Sequence, residues 1–139
     1  MDQELAKRNA LELMKRSRIA LLGSIDEDGY PVMKAMFSAK HDGLGEVWFS
    51  TNTSSKRVGL FKKDNRASVY FVDDTTFEGL LLVGMIELLQ DAESRQMLWV
   101  DGCEKYYPQG VTDPDYTVMK FTATKGNYYH RLKNTDFDL

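Results

Sequence analysis

Six runs rich in apolar, β-branched and aromatic residues, each closed by turn residues, dominate this sequence: residues 18–25, 30–37, 47–51, 66–72, 77–89 and 116–124. Asp26-Glu27-Asp28-Gly29 joins the first two, with Gly29 suited to positive φ. His41-Asp42-Gly43-Leu44-Gly45 leads into the third, Asn65 opens the turn before the fourth, and Asp73-Asp74-Thr75-Thr76 precedes the fifth. Strands joined in this way stand mostly in hairpin order. Pro31 lacks an N–H for a ladder and belongs at a strand start or an edge. Gly79 and Gly84 interrupt the longest run and read as bends or close-approach points. Gly126 ends the last strand, and residues 127–132 follow as a tail. Such a series closes more readily into a small barrel than into an open sheet.

Helical patterns sit at the connections. Residues 4–16 carry Ala6, Ala10, Leu13 and Met14 at helical spacing, with Lys7, Arg8, Lys15 and Arg16 mostly off that face. Residues 58–63 read as a short helix, and residues 91–100 as another with Ala92, Met97 and Leu98 on one side. The expected fold is mainly β with α: a six-stranded antiparallel barrel with flanking helices, in one domain over residues 1–139.

Composition narrows the function. A length of 139 residues, 42% of them apolar and 28% charged, gives one globular domain with a real core. A net charge of −3 argues against a nucleic-acid binder, which carries a basic face. No apolar run approaches the roughly 20 residues of a membrane span. The acidic, polar start is not a secretory signal, and the single Cys103 fits a reducing cytoplasm. Aromatics at 12% fill the interior of a small barrel, so a ligand belongs on its outer surface or at a subunit contact.

Residues 47–57 hold the most informative chemistry. An apolar strand runs into Ser50-Thr51-Asn52-Thr53-Ser54-Ser55 and then Lys56-Arg57 at a helix start. Helix starts leave N–H groups unpaired, and these point readily at a phosphate. Hydroxyl groups add donors. Lys56 and Arg57 lie where the helix dipole is positive, each unfavourable by about 0.3–1 kcal/mol, and a bound anion reverses that sign. The alternative is a solvated helix start capped by Thr53 or Ser54.

Elsewhere the sequence is quieter. His41 in a turn and His130 in the tail have no metal-ligand spacing around them, and no metal site is expected. Cys103 lies beside Glu104, which does not activate a thiol. The acidic turns read as solvated. The long loop 101–115 holds Tyr106 and Tyr107, which serve either to cover a flat ring, to meet a subunit, or to pin the loop to its own barrel. Tyr128 and Tyr129 are equally open, and Trp48 and Trp99 read as core or interface.

Three blocks in register resemble the pyridoxamine 5′-phosphate oxidase-like, FMN-binding split-barrel superfamily, and within it the short general-stress-protein branch. They are Ile19-Ala20-Leu21-Leu22-Gly23-Ser24 through Asp28-Gly29-Tyr30-Pro31 to Met36-Phe37, then residues 48–56, then Tyr107-Pro108-Gln109-Gly110-Val111-Thr112-Asp113-Pro114-Asp115-Tyr116. The resemblance implies a split barrel forming a homodimer, with FMN in the groove between two copies. It implies that Ser50, Thr51, Ser55, Lys56 and Arg57 hold the FMN phosphate. It further implies that Met33, Lys34, Ala35 and Met36 border the flavin ring, Lys34 being the candidate cation at its pyrimidine edge or else an outward lysine.

Departures from the pattern count too. The tail Asn127-Tyr128-Tyr129-His130-Arg131-Leu132 lacks the substrate-binding Arg and His of the true oxidases, and Gly79 stands where they use a Gln toward the flavin. The expectation is an FMN-dependent oxidoreductase with an unidentified small redox partner, not a true pyridoxamine phosphate oxidase, and no catalytic residue is named. The alternative is a non-enzymatic module that stores or senses flavin, deazaflavin or haem.

Overall fold

The computed structural model describes residues 1–38 and 40–139. Its elements are α1 (Gln3–Arg16), β1 (Ile19–Ile25), β2 (Pro31–Phe37), β3 (Lys40–Asp42), β4 (Glu46–Asn52), α2 (Lys56–Lys63), β5 (Arg66–Asp73), β6 (Glu78–Leu89), α3 (Ala92–Leu98), β7 (Tyr116–His130) and β8 (Lys133–Asp138). All strand pairs are antiparallel, in the order β2-β1-β5-β6-β7-β4-β3, with β8 also on β7. The protein is mainly β with three helices, and its sheet curls about one core as a split barrel does.

The strand count corrects the expected six: the described residues form eight. β3 spans three residues, too few for a pattern to register. β8 reads Lys-Asn-Thr-Asp-Phe-Asp, with Phe137 its one buried side chain. Nor does Gly126 end β7, which continues to His130. A Cβ at Gly126 would stand 2.6 Å from the Phe137 ring and 3.0 Å from Leu82, so this glycine is the seat of Phe137. The β7–β8 hairpin turns through Arg131 and Leu132 at φ 52° and 65°, without the glycine that usually marks such a turn.

The core follows from alternation. Val47, Phe49, Val69, Phe71, Leu80, Leu82 and Phe121 face one side of the sheet, where Ala6, Ala10, Leu13 and Met14 of α1 join them. Asp2 caps α1, its carboxylate accepting the Leu5 N–H at 2.8 Å. Gly84 lies where the β6–β7 register slips, and a Cβ there would meet the Thr122 carbonyl oxygen at 1.9 Å. The slip and the close approach are one event, a bulge that bends the sheet.

A second cluster packs on the opposite face of β4 and β7. Trp48, Leu98, Tyr107, Tyr116 and Val118 meet there beneath α3 and the loop 101–115. That loop is not structureless: it carries short 3-10 turns at Cys103–Lys105 and Gly110–Thr112. The buried Asp113 carboxylate fastens it, accepting the N–H of Gln109 at 3.1 Å and of Asp115 at 2.9 Å. Tyr107 is buried and pins the loop to its own barrel, whereas Tyr106 is exposed. The same outer face across β2, β1 and β5 has no such cover: Ile19, Met33, Phe37 and Val72 are all exposed there.

Candidate functional site

β4 ends at Asn52, and α2 begins at Lys56. Ser55, rather than Thr53 or Ser54, is the helix cap: its backbone is extended and its Oγ accepts the Val58 N–H at 3.3 Å. Thr53 and Ser54 are engaged elsewhere, with Asp115. The Thr51 hydroxyl lies 3.3 Å from Ser55 Oγ, and the Arg57 guanidinium reaches Thr51 Oγ1 at 3.5 Å. Lys56 and Arg57 occupy the first helical turn, where no acidic residue stands and where the N–H groups have no intrahelical acceptor. Three hydroxyl and guanidinium side chains and two free N–H groups thus converge on one corner.

Arg57 is the distinctive member. Its Nε is buried and has no hydrogen-bond partner, and burial pushes the guanidinium pKa downward. Arginine keeps its charge regardless, so a partly desolvated cation faces this corner with a donor unspent. Lys56 is exposed, with its Nζ 3.9 Å from Glu27 in the β1–β2 turn. Exposed pairs of that length hold little energy, and Lys56 can readily change partner.

The structure brings Thr51, Ser55, Lys56 and Arg57 together and turns Ser50 away from them. Strand alternation places Thr51 on the core face with Val47 and Phe49, and Ser50 on the opposite face with Trp48. On that face lies the buried Tyr116, whose phenol donates to the Arg95 carbonyl at 2.9 Å. Ser50 therefore reaches the cradle only through its backbone.

Residues 33–36 form a separate strip on β2, an edge strand that pairs among the described residues with β1 alone. Alternation divides them. Met33 and Ala35 lie on the exposed outer face with Phe37, while Met36 is buried in the core and Lys34 shares its side of the strand. A groove of about 440 Å³ runs beside Met33, between Val32, Gly23, Ser68 and Met85. The Glu27–Lys56 contact links the hairpin of this strip to the cradle.

Sequence reasoning missed Gln90, Thr117 and Asp115, which clasp the turn before α2. They lie far from that turn in sequence, and no local pattern announces them. No group of three metal-ligating side chains occurs among the described residues. His41 lies on β3 with a buried Nδ1 that has no partner, His130 lies on β7 rather than in a tail, and the free Cys103 packs on the second cluster. No helix of the described residues is long and apolar enough to cross a membrane.

Comparison with known proteins agrees with this geometry. The family model described as pyridoxamine 5′-phosphate oxidase like matches residues 6–136. A crystal structure from Clostridium acetobutylicum, described as related to general stress protein 26 of Bacillus subtilis and as pyridoxinephosphate oxidase family, is 51% identical. It superposes with a TM-score of 0.87 over 100% of this chain and 97% of that one. General stress protein 26 of Bacillus anthracis is 15% identical, with a TM-score of 0.80 over 96% of this chain and 98% of that one. A heme binding protein of Mycobacterium smegmatis is also 15% identical, with a TM-score of 0.78 over 96% of this chain and 57% of that one. The last two establish the fold alone. No curated protein matched the chain. On the extent of the family match and the 51% identity, the chain belongs to the pyridoxamine 5′-phosphate oxidase-like family, on its general stress protein 26-like side.

Proposed function

We propose that this protein is an FMN-binding flavoprotein, working as a cytoplasmic homodimer and exchanging reducing equivalents with a small, unidentified partner. The observation that carries the proposal is the buried, unspent Nε of Arg57 beside the Thr51 hydroxyl, at a helix start with no acidic residue. A phosphate dianion fits that donor set. It accepts from the Lys56 and Arg57 N–H groups, from the hydroxyls of Thr51 and Ser55 and from both cations, while the helix dipole favours its charge.

Bound FMN supplies hydride and electron chemistry; the chain supplies position and electrostatics. Met33 and Ala35 offer apolar contact to a flat ring on the outer face of β2; Lys34, on the opposite side of this edge strand, offers a cation only around the strand's edge, and the buried Met36 offers only its backbone. The uncovered outer face supports the dimer. Met33 and Phe37 are each 70% exposed, and Ile19 and Val72 extend the same apolar field, which monomers seldom leave open on this scale. A second copy closes it and excludes water from the ring.

The test is a titration of the Lys56→Ala/Arg57→Ala double variant with FMN. Affinity should fall by about a hundredfold or more, as loss of charge-assisted hydrogen bonds predicts, with the fold retained. Unchanged affinity removes the cradle from the account. Adding reduced nicotinamide to the FMN-loaded protein then separates reductase from binder: bleaching faster than that of free FMN identifies an enzyme.

A further inference from the structure

The turn between β4 and α2 is fastened to the start of β7 far more heavily than a helix cap requires. The Thr53 N–H donates to the Asp115 carbonyl at 2.6 Å, and the Thr53 hydroxyl lies 2.9 Å from the Pro114 carbonyl and 2.6 Å from the Thr117 hydroxyl. The Ser54 N–H donates to the Asp115 carboxylate at 2.8 Å. Gln90, just beyond β6, donates its side-chain amide to both threonine hydroxyls at 3.1 Å and reaches the Pro114 carbonyl at 3.5 Å. Each hydroxyl has one proton to give. Thr53 spends its own on Pro114 and Thr117 spends its own on Thr53, so the Gln90 amide supplies the donors the pair lacks.

Two routes lead from this clasp to the cradle. One is the backbone, since Ser55, the helix cap, follows Thr53 by two residues. The other crosses the ladder, since Thr117 is paired directly with Thr51, and both are buried. The clasp also decides which donors remain for a ligand. The N–H groups of Thr53 and Ser54 are spent on Asp115, that of Ser55 on Asn52, and that of Val58 on Ser55. Those of Lys56 and Arg57 are left, together with the Arg57 side chain.

We propose that Thr53, Thr117 and Gln90 are positioning residues for phosphate recognition: they hold the cap and Thr51 so that the remaining donors converge on one anion. The proposal rests on the reading of this corner as the FMN phosphate site. The three residues touch no part of the flavin; they act through Ser55 and Thr51.

The test compares two ligands that differ only in the phosphate. Thr53→Val, Thr117→Val and Gln90→Leu are titrated with FMN and with riboflavin, alongside Thr53→Ser and Thr117→Ser, which keep the hydroxyl. FMN affinity should fall roughly threefold to tenfold in each of the first three, the effect of about one neutral hydrogen bond. Riboflavin affinity should hold, and the serine variants should restore FMN binding. Equal weakening of both ligands, or no weakening, overturns the positioning role. Gln90 is exposed, so Gln90→Leu carries the test if Thr117→Val does not fold. A wild-type protein that fails to prefer FMN over riboflavin overturns the phosphate site and this proposal together. A wild-type preference that persists undiminished in every variant overturns this proposal alone.

Discussion

The hydroxyl of Tyr70 lies over Gly79, 2.0 Å from where a Cβ on that glycine would stand. The two residues occupy neighbouring strands of the outer face, and the ring fills the space that a side chain at Gly79 would need. Gly79 is one of the two places where the family resemblance led to an expected departure from the true oxidases. The space beside the glycine is therefore not empty; Tyr70 covers it.

Gly79→Ala should therefore destabilise the fold by about 1–3 kcal/mol, the cost of forcing a packed ring aside. In a Tyr70→Ala background the same substitution should cost much less, because the two changes share one space. Chemical denaturation of the four proteins in this cycle measures the coupling. Full additivity contradicts the contact.

Acid should loosen the barrel end where α1 meets the β5–β6 hairpin. Arg16 donates to Asp73 at 2.9 Å and to Glu78 at 2.8 Å, and the buried Tyr128 hydroxyl donates to the same Glu78 carboxylate. The Arg16 hydrogen bond holds the Asp73 carboxyl below its ordinary range. Burial pushes Glu78 upward, but the hydrogen bonds from Tyr128 and Thr76 and the charge of Arg16 outweigh it, and its net shift is downward. A carboxylate whose pKa is lower folded than unfolded contributes stability above its unfolded pKa and loses it as pH falls through the folded one. Arg16→Met should lower Tm at pH 7, and the gap to wild type should narrow as pH drops below about 4. A gap independent of pH contradicts this account.

β8 pairs with β7 along its length but buries one side chain. Phe137 is 2% exposed and seated over Gly126. Phe137→Ala should cost about 3–5 kcal/mol, and hydrogen exchange should speed up along β8 and the end of β7 before the rest of the sheet. Uniform exchange across all strands contradicts a separately anchored β8.

The bulge at Gly84 is stricter than the contact at Gly79. An added Cβ there meets the backbone of Thr122, which cannot rotate aside as a ring can. Gly84→Ala should exceed Gly79→Ala in cost, at about 3 kcal/mol or more, and should not be relieved by trimming neighbouring side chains.

Much of this fold was legible in the chain. The alternating runs located β1, β2, β4, β5 and β6, and the spacing of Ala6, Ala10, Leu13 and Met14 gave the buried stripe of α1. Gly79 and Gly84 read correctly as close approaches, because a glycine inside a strong strand needs a reason to be there. β3 and β8 were not legible: one is too short to show a period, and the other is polar apart from Phe137. At the site, the misfit of Lys56 and Arg57 with the helix dipole was a local electrostatic signal and could be read directly. The division of Ser50 from Thr51 follows from strand alternation, and the Thr53, Thr117 and Gln90 clasp from long-range pairing, which only the folded register reveals.

The most direct test of the central claim is the visible absorption spectrum of the freshly purified protein, followed by denaturation and identification of any released chromophore. The account predicts a flavin spectrum and near-stoichiometric FMN. A Soret band would assign the groove to haem instead, and a colourless protein that takes up no added FMN would contradict the flavoprotein reading outright.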